Sequence, residues 1–306
     1  MPKPRRQVVQ VLMGSILLGG CEDPTPPDAF ARVPLQVRAF DPIVSGISDF
    51  VGGELVEVRP LAPVGTNRGT WNPTPSELAT LLDKDLILIG GREPWTDTAA
   101  LPSNRTIAFD ERLDSNLIET DTVVTHSHGP DGAHSHRGTA PNPWLDPDLA
   151  AAMSNGIRDA YVQLAPIHQD TFNANDSLWR RRLAEAAATI EIAVNTQPTR
   201  PILFATDGYQ YLQRRYGING RHLDWTDFET LDAEALVELR GALTTHPAEH
   251  LICPEAPSDE IVEALRADGV ECVVFPLPGS TSPPVDLITV LEAGGAALNR
   301  VYGVED

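Results

Sequence analysis

Residues 171–195 contain neither glycine nor proline, and they place Leu178, Leu183, Ala186, Ala187, Ile190 and Val194 at helical spacing. A helix of that length runs about 35 Å at 1.5 Å per residue. It is too long to cap one small sheet and long enough to run along two. Pro198 and Pro201 stop it. On both sides the pattern alternates short apolar runs with amphipathic stretches. Before it, strands are expected at 33–40, 55–59, 86–89 and 106–109. Helices are expected at 42–51, from Thr74-Pro75-Ser76-Glu77 onward, and from Asp146-Pro147 to Leu164. After it, strands at 202–205, 251–253 and 270–275 alternate with helices at 207–216, 232–243, 258–269 and 285–301. Alternation of this kind implies right-handed crossovers and parallel sheets. The expected fold class is α/β: two lobes, 32–165 and 198–306, each a parallel sheet flanked by helices, bridged by the helix 171–195. Ligands of open α/β sheets lie beyond the carboxyl ends of the strands, which predicts a cleft between the lobes.

The amino terminus reads as an address. A basic stretch to Arg6 precedes an apolar run from Val8 to Leu18, too short to span a bilayer. Leu18-Gly19-Gly20-Cys21 resembles a bacterial lipobox, so residues 1–20 read as a lipoprotein signal peptide and Cys21 as the lipidated residue. Residues 21–31, rich in proline, aspartate and glutamate, read as a tether. The mature chain is expected to hang from a membrane on the periplasmic or cell-surface side. The full chain's formal charge of −20 repels phosphate backbones and argues against nucleic-acid binding. Cys253 and Cys272 each sit in a short apolar run; a disulfide and a pair of buried free thiols both fit the sequence.

Five segments in order resemble the metal-binding receptors of bacterial zinc and manganese ABC transporters. They are Leu61–Gly65 with Trp71–Ser76; Leu86–Trp95 with Gly90, Gly91, Glu93 and Trp95; Pro141-Asn142-Pro143-Trp144-Leu145-Asp146-Pro147; Asp207–Gly217; and Pro254-Glu255. The resemblance implies two lobes bridged by a rigid helix, a divalent cation such as zinc as cargo, an ABC permease as partner, and a monomer. The family's metal ligands are three histidines, or two and a carboxylate, with a final carboxylate. The matching positions here are Gly69, Asn142, Thr206 and, within one residue, Pro276. Gly69 and Pro276 offer no donor side chain. Asn142 and Thr206 offer neutral oxygens, which zinc binds poorly. Glu93, Asp207 and Glu255 are candidate substitutes, with capping of helices and turns as their plainer role.

Four of the eight histidines fall in one stretch, His126, His128, His134 and His136, expected as a His-rich loop over 125–137. Imidazoles two apart in extended chain share a side and can chelate zinc, copper or nickel. The resemblance implies a metal collector there rather than the main site. His246-Pro247-Ala248-Glu249-His250 matches a metalloprotease pattern, but Pro247 and the strand that follows argue against the helix which that chemistry needs. No nucleophile elbow, P-loop or dinucleotide fingerprint occurs in the mature chain, so no enzyme is expected. Two other roles fit the same scaffold: a receptor for a non-metal ligand, with Asn142, Thr206 and aromatics lining its cleft, and an assembly lipoprotein whose site has decayed.

Overall fold

The computed structural model describes residues 34–304 apart from 64–70, 91–92, 94, 97–98, 128–132, 226–227, 231 and 280–282, and omits side chains at 121–127 and 133–137. The leader, Cys21 and the tether lie outside the described residues, as do Gly69 and His128.

The first half builds a four-stranded parallel sheet. Its strands are β1 (Leu35–Ala39), β2 (Val56–Pro60), β3 (Leu86–Ile89) and β4 (Thr106–Ala108), in the order β2-β1-β3-β4. All four residues of β3 are buried, as a strand covered on both faces requires. Helix α1 (Pro42–Gly52) starts on Asp41, whose carboxylate accepts the amides of Ile43 and Val44. Helix α2 (Pro75–Leu82) carries the expected capping box: the Glu77 amide donates to the Thr74 hydroxyl, and the Glu77 carboxylate accepts the Thr74 amide. Because β3 returns to the far side of β1, the connections leave in opposite directions at the carboxyl ends of β1 and β3. That is the switch point where α/β folds open a crevice.

A short α3 (Phe109–Leu113) follows β4. Then β5 (Glu119–Ser127) and β6 (Ala133–Thr139) pair as an antiparallel ribbon, so both flanks of the expected His-rich loop are strand. Helix α4 (Pro147–Leu164) leads to α5 (Gln169–Thr196), 28 residues and roughly 42 Å long. Beyond it, β7 (Ile202–Phe204), α6 (Gln210–Tyr216), β8 (Gly220–His222), α7 (Ala233–Thr245), β9 (His250–Cys253), α8 (Asp259–Ala267) and β10 (Glu271–Val274) form a second parallel sheet, ordered β10-β9-β7-β8. Its switch point lies between β7 and β9. Helix α9 (Leu287–Tyr302) closes the chain.

Helix α5 touches both halves. Near its start the Asn175 amide donates to the Val51 carbonyl of α1 at 3.1 Å; just past its end the Gln197 amide donates to the Tyr302 carbonyl of α9 at 2.8 Å. The chain also returns: the Val285 amide, just before α9, donates to the Pro42 carbonyl of α1 at 3.0 Å. Among the described residues no helix is long and apolar enough to cross a membrane.

Candidate functional site

The carboxyl ends of the two sheets supply the candidate positions. Asn142 precedes a 3-10 turn, Pro143–Leu145, and adopts the left-handed conformation (φ 61°, ψ 51°), which asparagine tolerates better than most residues. Its side-chain amide donates to the Gly208 carbonyl at 3.1 Å. Thr206 lies one residue beyond the Ala205 that follows β7, and its hydroxyl accepts the Gly208 amide at 2.9 Å. Pro276 follows β10, and its neighbour Leu277 reaches the same glycine. A Cβ built on Gly208 would lie 2.6 Å from Leu277 Cδ1, 3.2 Å from Asn142 Nδ2 and 3.4 Å from Thr206 Oγ1. Three positions far apart in sequence therefore meet at one glycine, and an apolar side chain fills the space between them.

The surroundings fix this arrangement. His222, at the end of β8, faces the Thr206 carbonyl through Nδ1 at 2.9 Å and the Gln213 side-chain oxygen through Nε2 at 2.7 Å. Its ring stacks on Phe204 at 4.8 Å, and Asp207 Oδ1 is 3.8 Å from Nδ1. Tyr209 donates its hydroxyl to the Phe275 carbonyl at 2.6 Å, and burial raises its phenol well above the usual value. Sequence reasoning passed over His222, Gly208 and Leu277. A histidine in a three-residue polar strand and a leucine after the last strand carry no local signal of a site.

The substitute carboxylates do not gather. Glu93 accepts the Gly90 amide at 2.9 Å, as a turn-forming carboxylate does; Asp207 and Glu255 are exposed. Among the described residues no three histidine, cysteine, aspartate or glutamate side chains lie close enough together to hold a metal ion. Beside Asn142, at the first switch point, a cavity of about 440 Å³ opens between Phe40, Phe109, Leu113, Trp144 and Met153, with Asp41, Glu93 and Asp110 on its wall. Asp41 and Asp110 also serve backbone amides, of Ile43 and Val44 and of Glu111.

In the ribbon, the ladder sets His126 opposite His134 and Val124 opposite His136. Positions 134 and 136 share one face, and 126 lies across from it on that same face. The protease-like histidines separate: His246 follows the end of α7 and His250 opens β9, so they do not share a helix.

A model of the ZnuA family, described as zinc-uptake complex component A, periplasmic, matches residues 41–300. Among curated proteins the chain is similar to the iron-binding protein YfeA of Yersinia pestis, 24% identical over 190 residues, 59% of this chain and 56% of that one. It is equally similar to the manganese-binding lipoprotein MntA of Halalkalibacterium halodurans, 24% identical over 60% of this chain and 59% of that one. The matches span less than two thirds of those relatives. Among solved structures, the metal-dependent lipoprotein YcdH of Bacillus subtilis superposes with a TM-score of 0.71 at 16% identity, covering 88% of this chain and 99% of that one. The Zn(II)-bound ZnuA-like domain of Streptococcus pneumoniae AdcA gives 0.69 at 18%, over 88% and 99%. At these identities the superpositions establish the fold.

Proposed function

The chain belongs to the ZnuA family of periplasmic zinc-uptake components, and from that premise we propose that it captures a divalent cation outside the cytoplasm and hands it to the permease of an ABC importer. It acts as a receptor and not as an enzyme. The relatives are named for iron, manganese and zinc, so the class of cargo follows from kinship and the particular ion from this chain's own donors.

The observation that carries the reading is the meeting of Asn142, Thr206 and Leu277 at Gly208, between the switch points of the two sheets. Those side chains offer neutral oxygens and a hydrocarbon where relatives of this type place imidazole and carboxylate. A cation held there is bound weakly, through oxygens. Stronger donors are supplied by the β5–β6 ribbon. His126, His128, His134 and His136, in and beside that ribbon in sequence, collect zinc reversibly, and binding fades as acid protonates imidazole. Glu93, Asp207 and Glu255 serve their local turns and surfaces rather than the ion. Cys21 carries the lipid that keeps the receptor, a monomer, beside its permease. The comparisons do not favour the other expectations, a non-metal ligand or a purely structural lipoprotein.

Calorimetric titration of zinc and manganese into chelator-treated full chain tests this. Zinc binding that weakens sharply when His126, His128, His134 and His136 are all changed to alanine, leaving a weak residue of zinc and manganese binding, supports the assignment. Absence of any binding by the wild-type chain at millimolar ion sinks it.

A further inference from the structure

Two cysteines stand apart from the cation site. Cys253 ends β9 and Cys272 lies in the neighbouring β10, the edge strand of the second sheet. The register pairs Cys272 with Leu251 and Val274 with Cys253, so the cysteines are diagonal neighbours on one sheet face. That face, which also carries Leu251, shares a buried cluster with Ile261 and Leu265 of α8. Cys253 is fully buried, Cys272 is partly open, and their sulfurs are 2.8 Å apart. No third ligand completes a metal set among the described residues, so the chemistry available to the pair is that of sulfur with sulfur.

We propose that Cys253 and Cys272 form a thiol–disulfide exchange site that closes into a disulfide tying β9 to β10, with Cys272 as the attacking sulfur. The oxidant is an external disulfide, small or protein-borne. The Cys272 thiol gives up its proton and attacks one sulfur of that disulfide; a mixed disulfide forms, and the departing thiolate takes a proton. The Cys253 thiol, deprotonated in turn, attacks the Cys272 sulfur and expels the second thiolate, which is protonated. Two cysteine thiols lose two electrons, and one external disulfide becomes two thiols. Closure asks the sulfurs to approach by less than about 1 Å, to the usual bond of ~2.05 Å.

The order of attack follows from access and charge. Only Cys272 is open to an oxidant. Its thiolate is favoured by the Cys253 hydrogen bond and by the Arg300 guanidinium, which together hold its thiol below the usual value against the cost of burial. Contact with Cys272 and burial push the Cys253 thiol up, which suits a resolving partner. The bond steadies the edge strand whose continuation carries Leu277 to Gly208. Only the natural supply of oxidant rests on the extracytoplasmic reading.

The test uses the full chain carrying Cys21→Ser, reduced, then incubated with oxidised glutathione, quenched in acid and alkylated after unfolding. The expected product is lighter by two hydrogens, takes no alkylating reagent, and yields one linked peptide pair containing residues 253 and 272. Adding Cys253→Ser traps a single glutathione on Cys272; adding Cys272→Ser instead slows adduct formation about tenfold or more. Circular dichroism confirms that each variant is folded. Two thiols still fully alkylated in the Cys21→Ser chain, or an adduct that forms as fast on Cys253, overturns the proposal. Alkylation of protein taken straight from cells reads the location separately: free thiols there, with closure intact in vitro, count against the extracytoplasmic reading and leave the exchange site standing.

Discussion

The Asn142 side chain donates to the Gly208 carbonyl across 66 positions of sequence, joining the first half of the chain directly to the second. Asn142 contributes twice, through this bond and through its tolerance of a left-handed backbone. Asn142→Gly removes the bond and loosens the unfolded chain but relieves the left-handed backbone, and is expected to cost about 1 kcal/mol; Asn142→Ala removes the bond and strains the backbone, and is expected to cost roughly 2 kcal/mol. Urea denaturation of both variants measures the difference. Equal losses would show that the backbone conformation at this position is immaterial.

The positions proposed to match the family's ligands can be refilled. In the chain with the four ribbon histidines removed, Asn142→His together with Thr206→His is expected to raise zinc affinity at Gly208 by about tenfold or more, because imidazole suits zinc far better than amide or hydroxyl oxygen. Competition against a chromogenic chelator reads it. No gain would mean that these positions do not face a common ion.

Gly208 leaves room for Leu277. A Cβ there would sit 2.6 Å from the leucine methyl. Gly208→Ala is therefore expected to destabilise by about 1–3 kcal/mol. Leu277→Ala costs stability on its own through lost burial. The double variant is expected to be more stable than the sum of the two losses implies, because the added methyl fills the vacated space. Strict additivity in the double-mutant cycle would place Leu277 away from Gly208.

Asp176 of α5 is 2% exposed, and it accepts hydrogen bonds from the Ser154 hydroxyl and from Arg158, whose Nη1 is 3.3 Å away; both donors are on α4. Arg158→Ala leaves the buried carboxylate with only Ser154 and the more distant Arg180 (3.9 Å) and is expected to cost about 2–3 kcal/mol. Adding Asp176→Asn to that variant recovers part of the loss by removing the charge. The urea midpoints of the two variants decide.

Alkali attacks the core through tyrosine. Burial raises the phenols of Tyr161 and Tyr209, and pushes that of Tyr302 up to about 12. Tyr161 also shares a 2.5 Å hydrogen bond with Ser48. A phenol that ionises less readily folded than unfolded stabilises the fold fully below the unfolded value of about 10, and that contribution is lost as pH climbs through 10 to 12. Stability is expected to hold between pH 7 and 9 and to fall steeply above 10, with the ultraviolet absorbance of phenolate rising together with unfolding. Full ionisation of these tyrosines in folded protein would contradict the burial.

Much of the framework could be read from residue pattern. The apolar run 86–89 is strand β3 with the same limits, the Thr74 capping box forms as expected, and the uninterrupted segment becomes α5, lengthened slightly at each end. Gly220–His222 escaped because an edge strand of three residues, two of them polar, has neither periodicity nor an apolar run. The ribbon reads as a loop in sequence because threonine, serine and histidine dominate its strands. Asn142 and Thr206 stand out by family resemblance and not by residue pattern; the structure brings both to Gly208. Leu277 was invisible for a physical reason: a side chain that plugs a site is chosen by shape, and shape exists only after both halves have met.

The way α5 and the segment before α9 join the halves twice has a mechanical consequence. One covalent helix, α5, and one returning segment hydrogen-bonded to α1 through Val285 act like paired struts, resisting both swing and twist. A frame braced in this way holds nearly one outline, so on the proposed role a docking permease is offered the same overall surface with and without cation. On that role, the difference a partner reads lies in small local changes at the strand ends around Gly208 rather than in the gape of the molecule.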